Sequence, residues 1–195
     1  MASQEELVQF VKEEIVRCKK DPAYFMRKYC YIQHPQRGRV LFNLYPFQEK
    51  VLHLVRDNRN TLILKSRQLG ISTLMAGYSL WLIVFHRDKS VLALANTQAT
   101  ARAIVTKTKF MYDELPQWMR VGATEKNKLS LRLANGSSIV AKSSNPESAR
   151  SDSLAHLIID ECQKSSENQL ILRNKSTGEI IKTSFEELYE NSLYL

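Results

Sequence analysis

Nine consecutive residues, Lys65, Ser66, Arg67, Gln68, Leu69, Gly70, Ile71, Ser72 and Thr73, have the types and order of a loop that grips phosphate. The apolar run Leu62-Ile63-Leu64 leads into them, and a long apolar stretch follows. Each part has a job in anion binding. Backbone N–H groups at a helix N-terminus point at the anion, glycine permits close approach, a lysine adds a point charge, and a hydroxyl can ligate Mg2+. The loop is irregular, because Ile71 stands where the standard pattern has its lysine and the nearest cations, Lys65 and Arg67, lie at its start. By itself the stretch is equally a plain strand, turn and helix. Ser72 and Thr73 are both candidates for the hydroxyl, with Thr73 assigned to Mg2+.

A second signal lies about ninety residues downstream. Ala155-His-Leu-Ile-Ile-Asp160-Glu161 is a short apolar run that ends in adjacent carboxylates, as a central parallel strand does when it delivers acids to the rim of a sheet. In nucleoside triphosphatases such a pair divides the labour, with the first acid holding Mg2+ through water and the second polarising the attacking water. A buried strand with a solvated Asp-Glu at its end is the plain alternative. The order and separation of the two signals favour the nucleotide reading.

The elements that must position these residues follow from periodicity and punctuation. Glu5 to Lys19 has apolar residues near helical spacing, and Asp21-Pro22 starts a second short helix through Tyr31. Their aromatics read as core packing. Pro46 stands at a good first helical position for a helix through Leu52 and Val55. The phosphate loop follows the first strand, and Leu74 to Phe85 reads as a buried helix. Ser90 to Ala95 is the next strand, and Asn96-Thr97-Gln98 caps a helix from Ala99 to Tyr112 that carries Arg102, Lys107 and Lys109. Leu129 to Leu133, Asn135-Gly136 and Ser138 to Lys142 form the sharpest hairpin signal, expected as an insertion on the sheet edge. The expected fold is α/β: an incomplete, doubly wound, mostly parallel sheet of the P-loop NTPase type with a short β-rich tail. The expected divisions are a helical segment at 1–45, the ATPase core at 46–161 and a foreign tail at 162–195.

Composition agrees. The chain has 195 residues, 44% of them hydrophobic, enough for one sizeable core. No apolar run approaches the ~18 residues of a membrane span, and the N-terminus lacks the regions of a signal peptide. The three cysteines have neither pairing arithmetic nor metal spacing, which suggests a reduced, cytoplasmic protein. The net charge is +8, and residues 1–161 carry 24 basic and 15 acidic residues. The positive charge thus sits with the nucleotide-binding part, as expected of a protein that grips a nucleic-acid backbone.

Several ordered motifs then carry a resemblance: Asp21-Pro-Ala-Tyr-Phe25, His34-Pro35, Tyr45-Pro-Phe-Gln48, Lys65 to Thr73, Ala93-Leu-Ala-Asn-Thr97, Ser143-Ser-Asn-Pro146 and Ile159-Asp-Glu161. Together they resemble the ATPase domain of the large terminase subunit of tailed bacteriophages over nearly all of residues 1–161. The resemblance implies an ATP- and Mg2+-dependent motor that moves double-stranded DNA into the procapsid. Its implied partners are the portal protein and the small terminase subunit, its assembly a homo-oligomeric ring, and its location the cytoplasm of the infected bacterial host, with no membrane. It also assigns roles residue by residue: Lys65 as a phosphate ligand despite Ile71, Arg67 near the γ-phosphate, Gln48 in adenine recognition, Asp160 as the magnesium acid and Glu161 as the catalytic base. Arg150, close in sequence to the acids, is a candidate phosphate or DNA contact and equally a solvated arginine.

Beyond Glu161 the pattern changes. A terminase ATPase is expected to continue with a Ser/Thr-rich coupling strand and then a nuclease. Here Cys162 is followed by a strand, the turn Lys175-Ser-Thr-Gly178, a second strand and an acidic helix. This segment resembles the opening of an intein, which would make Cys162 the nucleophile of an N-to-S acyl shift. An accidental end is the alternative. On either account the expectation is an ATPase in the complete protein, or else a nucleotide- and DNA-binding N-terminal piece without turnover of its own.

Overall fold

A computed structural model describes residues 4–143 and 153–160, and the backbone of 170–173 and 180–183. The chain forms two compact units, Met1–Asp160 and Glu161–Leu195.

In the first unit, α1 (Gln4–Lys20) and α2 (Pro22–Tyr29) lead into a hairpin of β1 (Tyr31–His34) and β2 (Gly38–Leu41), then α3 (Pro46–Asp57). The loop at 65–70 leads into α4 (Ile71–Phe85), followed by β3 (Ser90–Ala95), α5 (Gln98–Asp113), β4 (Ala123–Lys126), β5 (Ser130–Leu133), β6 (Ser138–Ser143) and β7 (His156–Asp160). Five strands form one sheet in the order β4-β5-β6-β3-β7. Strand β3 pairs in parallel with β6 on one side and β7 on the other, while β4, β5 and β6 are joined antiparallel. The class is α/β, as the sequence predicts.

The sheet is mixed, and the hairpin is not an appendage. Its second strand, β6, lies directly beside β3, because Ile139 and Ala141 are apolar enough to be buried in the middle of a sheet. Its turn docks onto the end of α4. The Asn135 side-chain amide donates to the Ile83 carbonyl at 2.8 Å, closing one of the carbonyls left open where a helix ends. Gly136, at φ 82°, is packed so tightly that a Cβ there would lie 2.1 Å from Asp88 Oδ1.

Helix α4 is the spine of the core. Eleven of its fifteen residues are buried, so it is apolar all round rather than along one stripe. It packs against α5 and the sheet, and against α2 and α3. Gly77 admits Met26, whose Sδ lies 3.0 Å from where a Cβ would be, and Trp81 Nε1 donates to the Cys18 carbonyl at 2.9 Å. Cys18 and Cys30 are free and buried; burial, the first cause, pushes the Cys18 thiol up to about 12. Glu14 on α1 is buried and accepts from Tyr24 (2.6 Å), Lys28 (2.6 Å) and Tyr29 (2.8 Å), which ties α1 to α2.

Two further sequence expectations change. The segment before the loop at 65–70 pairs with no strand among the described residues, and only Ile63 packs on the core while Leu62 and Leu64 are 56% and 57% exposed. A strand exists only through a hydrogen-bonded neighbour, and Leu62–Leu64 has none among the described residues. Tyr31 belongs to β1 rather than to the second helix, since α2 ends at Tyr29. In the second unit, β8 (Leu170–Arg173) pairs antiparallel with β9 (Ile180–Thr183), the strand pair expected of the tail.

Candidate functional site

The polar turn expected to hold phosphate is built from two left-handed residues, Gln68 (φ 65°) and Gly70 (φ 72°), on either side of Leu69. Glycine takes this conformation without strain; glutamine does not. The reversal aims the chain into α4, where the Leu74 N–H closes the first turn on the Gly70 carbonyl at 2.9 Å. Helices α2 and α5 have their first amides capped by side chains, Asp21 and Thr97. Gly70 has no such side chain, so the first-turn N–H groups of α4 are left for another acceptor.

Strand β7 brings Asp160 to the same place. In the parallel register Asp160 lies opposite Ala95, at the carboxyl ends of β3 and β7, where α/β sheets bind their ligands. Its carboxylate is nearly buried and has two partners from the loop region. Lys65 Nζ lies 3.2 Å from Oδ1, and the Ser72 hydroxyl donates to Oδ2. Residues 88 and 95 positions apart thus converge on one acid. Neighbouring helical residues point about 100° apart, so only one of two adjacent hydroxyls can face a given acid. It is the Ser72 hydroxyl that faces it, one position before Thr73, the residue assigned to the metal.

Gln48 is also brought to the loop, though not as a free amide. It is 2% exposed. Its Oε1 accepts from the Tyr45 N–H at 3.0 Å and its Nε2 donates to the Leu69 carbonyl at 3.0 Å. Beside it, Tyr45 and Phe47 are stacked with ring centroids 5.8 Å apart and are both exposed. Arg67 and Ser66 lie exposed on the loop. Arg150, Glu161 and Cys162 lie outside the described residues, so the base and splice assignments have no geometry here.

One charged residue was not distinguished by the sequence reading. Lys107 on α5 is half-buried; burial lowers its pKa, while Asp160 raises it and Lys65 lowers it again, so it shares their electrostatic field. A signal existed: Lys107 follows buried Ile104 by three positions and precedes buried Met111 by four, which puts it beside the apolar stripe.

The site's donors are hard. A carboxylate and a hydroxyl suit Mg2+, which is commonly held by one or two protein oxygens with substrate phosphate and water completing the shell. Among the described residues no three His, Cys, Asp or Glu side chains group as they would to hold a metal ion by themselves.

Comparison with known proteins bears on the fold and the family. A solved structure described as the crystal structure of the HK97 bacteriophage large terminase matches with a TM-score of 0.57 and 20% identity, over 72% of this chain and 30% of that one. At that identity the match speaks for the fold, and this chain spans less than a third of the HK97 protein's length. The family profile "Terminase large subunit, T4likevirus-type, N-terminal" matches residues 62–186, from the phosphate loop through the acidic strand and across the Glu161–Cys162 bond. Nothing in that match singles out the bond, so it lends the intein reading of Cys162 no support. With well over half of its length matched, the chain belongs to the terminase large subunit family, in its T4likevirus-type N-terminal part.

Proposed function

We propose that this chain is the ATPase part of a DNA-packaging terminase, binding Mg-ATP at Lys65–Thr73 and coupling its hydrolysis to movement of double-stranded DNA. The observation that carries the reading is the convergence of Lys65 and Ser72 on Asp160 at the mouth of a helix with no side-chain cap. Without a ligand, Lys65 neutralises the acid; with nucleotide bound, the same ammonium would pair with phosphate oxygens held over the α4 N-terminus. Ser72 and Asp160 would hold Mg2+, which when bound neutralises charge on the transferring phosphoryl group. Glu161, the next residue in sequence, is assigned as the base that orients water, and Arg67 as the cation for the γ-phosphate. Family membership supports double-stranded DNA, the portal protein and the small terminase subunit as partners, a ring assembly, and action in the infected cell's cytoplasm. No described helix is long and apolar enough to cross a membrane.

Titration of the full chain with a fluorescent ATP analogue tests the reading. Lys65→Ala should weaken Mg-ATP binding by about tenfold or more, since charge-assisted contacts to phosphate are worth roughly 1.5–3 kcal/mol each. Unchanged affinity would reject Lys65 as the phosphate cation.

A further inference from the structure

Asp160 is nearly buried, and the ammonium paired with it is the one that nucleotide would draw away. Taking Lys65 from such a carboxylate costs free energy unless another cation faces the acid, and phosphates arriving beside it add negative charge to the same place. Ser72 gives the carboxylate a hydrogen bond but no charge.

Helix α5 brings a second lysine to this end of the sheet. Alternation along β3 and β7 puts Ala93, Ala95, Ile158 and Asp160 on one face, which α4 and α5 cover. The helix starts just after the Ala95 end of β3, so its N-terminal end lies on the same side as Asp160. Its level against α4 is fixed by Thr108, whose hydroxyl donates to the Ala76 carbonyl at 3.3 Å, and Ala76 lies about one turn further along α4 than Ser72. Lys107 is the neighbour of Thr108. Helical side chains lean towards the N-terminus of their own helix, and a lysine's four-carbon stem spans about one turn. The half-buried Lys107 is thereby directed to the level of Ser72 and Asp160. The charges also act on one another: burial is the first influence on Lys107 and lowers its pKa, Asp160 raises it and Lys65 lowers it.

We propose that Lys107 is a positioning residue of the nucleotide site, the cation on α5 that keeps the Asp160 carboxylate balanced while Lys65 serves the phosphates. It acts through the acid and does not touch the nucleotide. This rests on the nucleotide reading of the loop given above.

The test titrates fluorescent ATP into the full chain with Mg2+ and with a chelator in its place. Lys107→Met keeps most of the stem and removes the charge, Lys107→Arg keeps a charge, and Lys107→Gln replaces the methionine variant if that does not fold. Without Mg2+, Lys107→Met should weaken ATP binding about tenfold, the scale of losing one charged partner at a partly buried acid. With Mg2+ the loss should shrink to about twofold or less, because the acid then faces another cation, and Lys107→Arg should stay near the wild type in both conditions. Equal losses in the two conditions would overturn this role, leaving Lys107 a direct phosphate ligand if arginine rescues and a packing residue if it does not. No loss in either condition would overturn it as well. If the wild-type chain binds no ATP, the nucleotide reading fails, and a double-mutant cycle of Lys107→Met with Asp160→Asn in denaturant titrations still decides the pairing; it decides equally where binding without Mg2+ is too weak to titrate. Losses of stability that fail to add support the pairing, and additive losses overturn it.

Discussion

Asp160 receives two kinds of donor, and each makes a different demand. The Lys65 ammonium can leave for a phosphate oxygen without stranding a buried charge only if a second cation takes its place on the acid. Ser72 can stay, since a hydroxyl is able to donate to a carboxylate or offer its lone pair to a metal. The Mg2+-dependent part of nucleotide affinity should therefore fall about five- to tenfold in Ser72→Ala and by less than about twofold in Thr73→Ala, measured by nucleotide titration with and without Mg2+. The reverse order would return the hydroxyl role to Thr73. The loop and the acid were legible in the sequence because each is a contiguous string. Which hydroxyl meets the acid was not, because it depends on the rotation of α4 about its axis against a strand 88 residues away. The closed amide of Gln48 was hidden for the same reason: the carbonyl it binds is 21 residues along the chain.

Elements here are held by a few polar contacts set among apolar ones, and the junction of α1 with α2 shows the energetics. Burial alone would raise the Glu14 pKa, but hydrogen bonds from Lys28, Tyr24 and Tyr29, with the Lys28 charge, outweigh it and hold the carboxyl at about 2. A carboxyl depressed in the folded state stabilises fully above its unfolded value near 4.5, and that contribution is lost as pH falls through its folded value. The stability gap between wild type and Glu14→Gln should therefore be about 1–2 kcal/mol at neutral pH, allowing for solvent screening at the half-exposed Lys28, and should close between pH 4.5 and 2 in denaturant titrations. A gap that persists at pH 2 would mean the charge is not what holds the helices. Most element boundaries could be read from punctuation: Asp21, Pro46, Thr97 and Asn135-Gly136 each mark an observed start or turn. The segment at Leu62–Leu64 could not, since an apolar run shows strand propensity but not whether a neighbour exists to pair with it.

For the molecule as a whole, charge is the coarsest signal, and it concerns association rather than fold. With 24 basic against 15 acidic residues in 1–161, binding to duplex DNA should be independent of sequence and fall steeply with salt, as counterions are released along the backbone. Affinities measured across a range of salt concentrations check this, and a flat dependence would rule out an electrostatic grip. The α/β class and the nucleotide reading could be drawn from sequence because local strings carry them; the mixed sheet could not, because it depends on β6 choosing β3 as a parallel neighbour. The same docking of the hairpin governs where a label or affinity tag can be introduced. An Asn-Gly turn is ordinarily the natural choice for an insertion, but at Asn135-Gly136 foreign residues would pry the cap off α4 and drive side chains into Asp88. Among the described turns, the exposed one at 35–37 is a better place to attach a fluorophore or a tether, with Gly38 itself left unchanged because its φ of 65° strains any other residue.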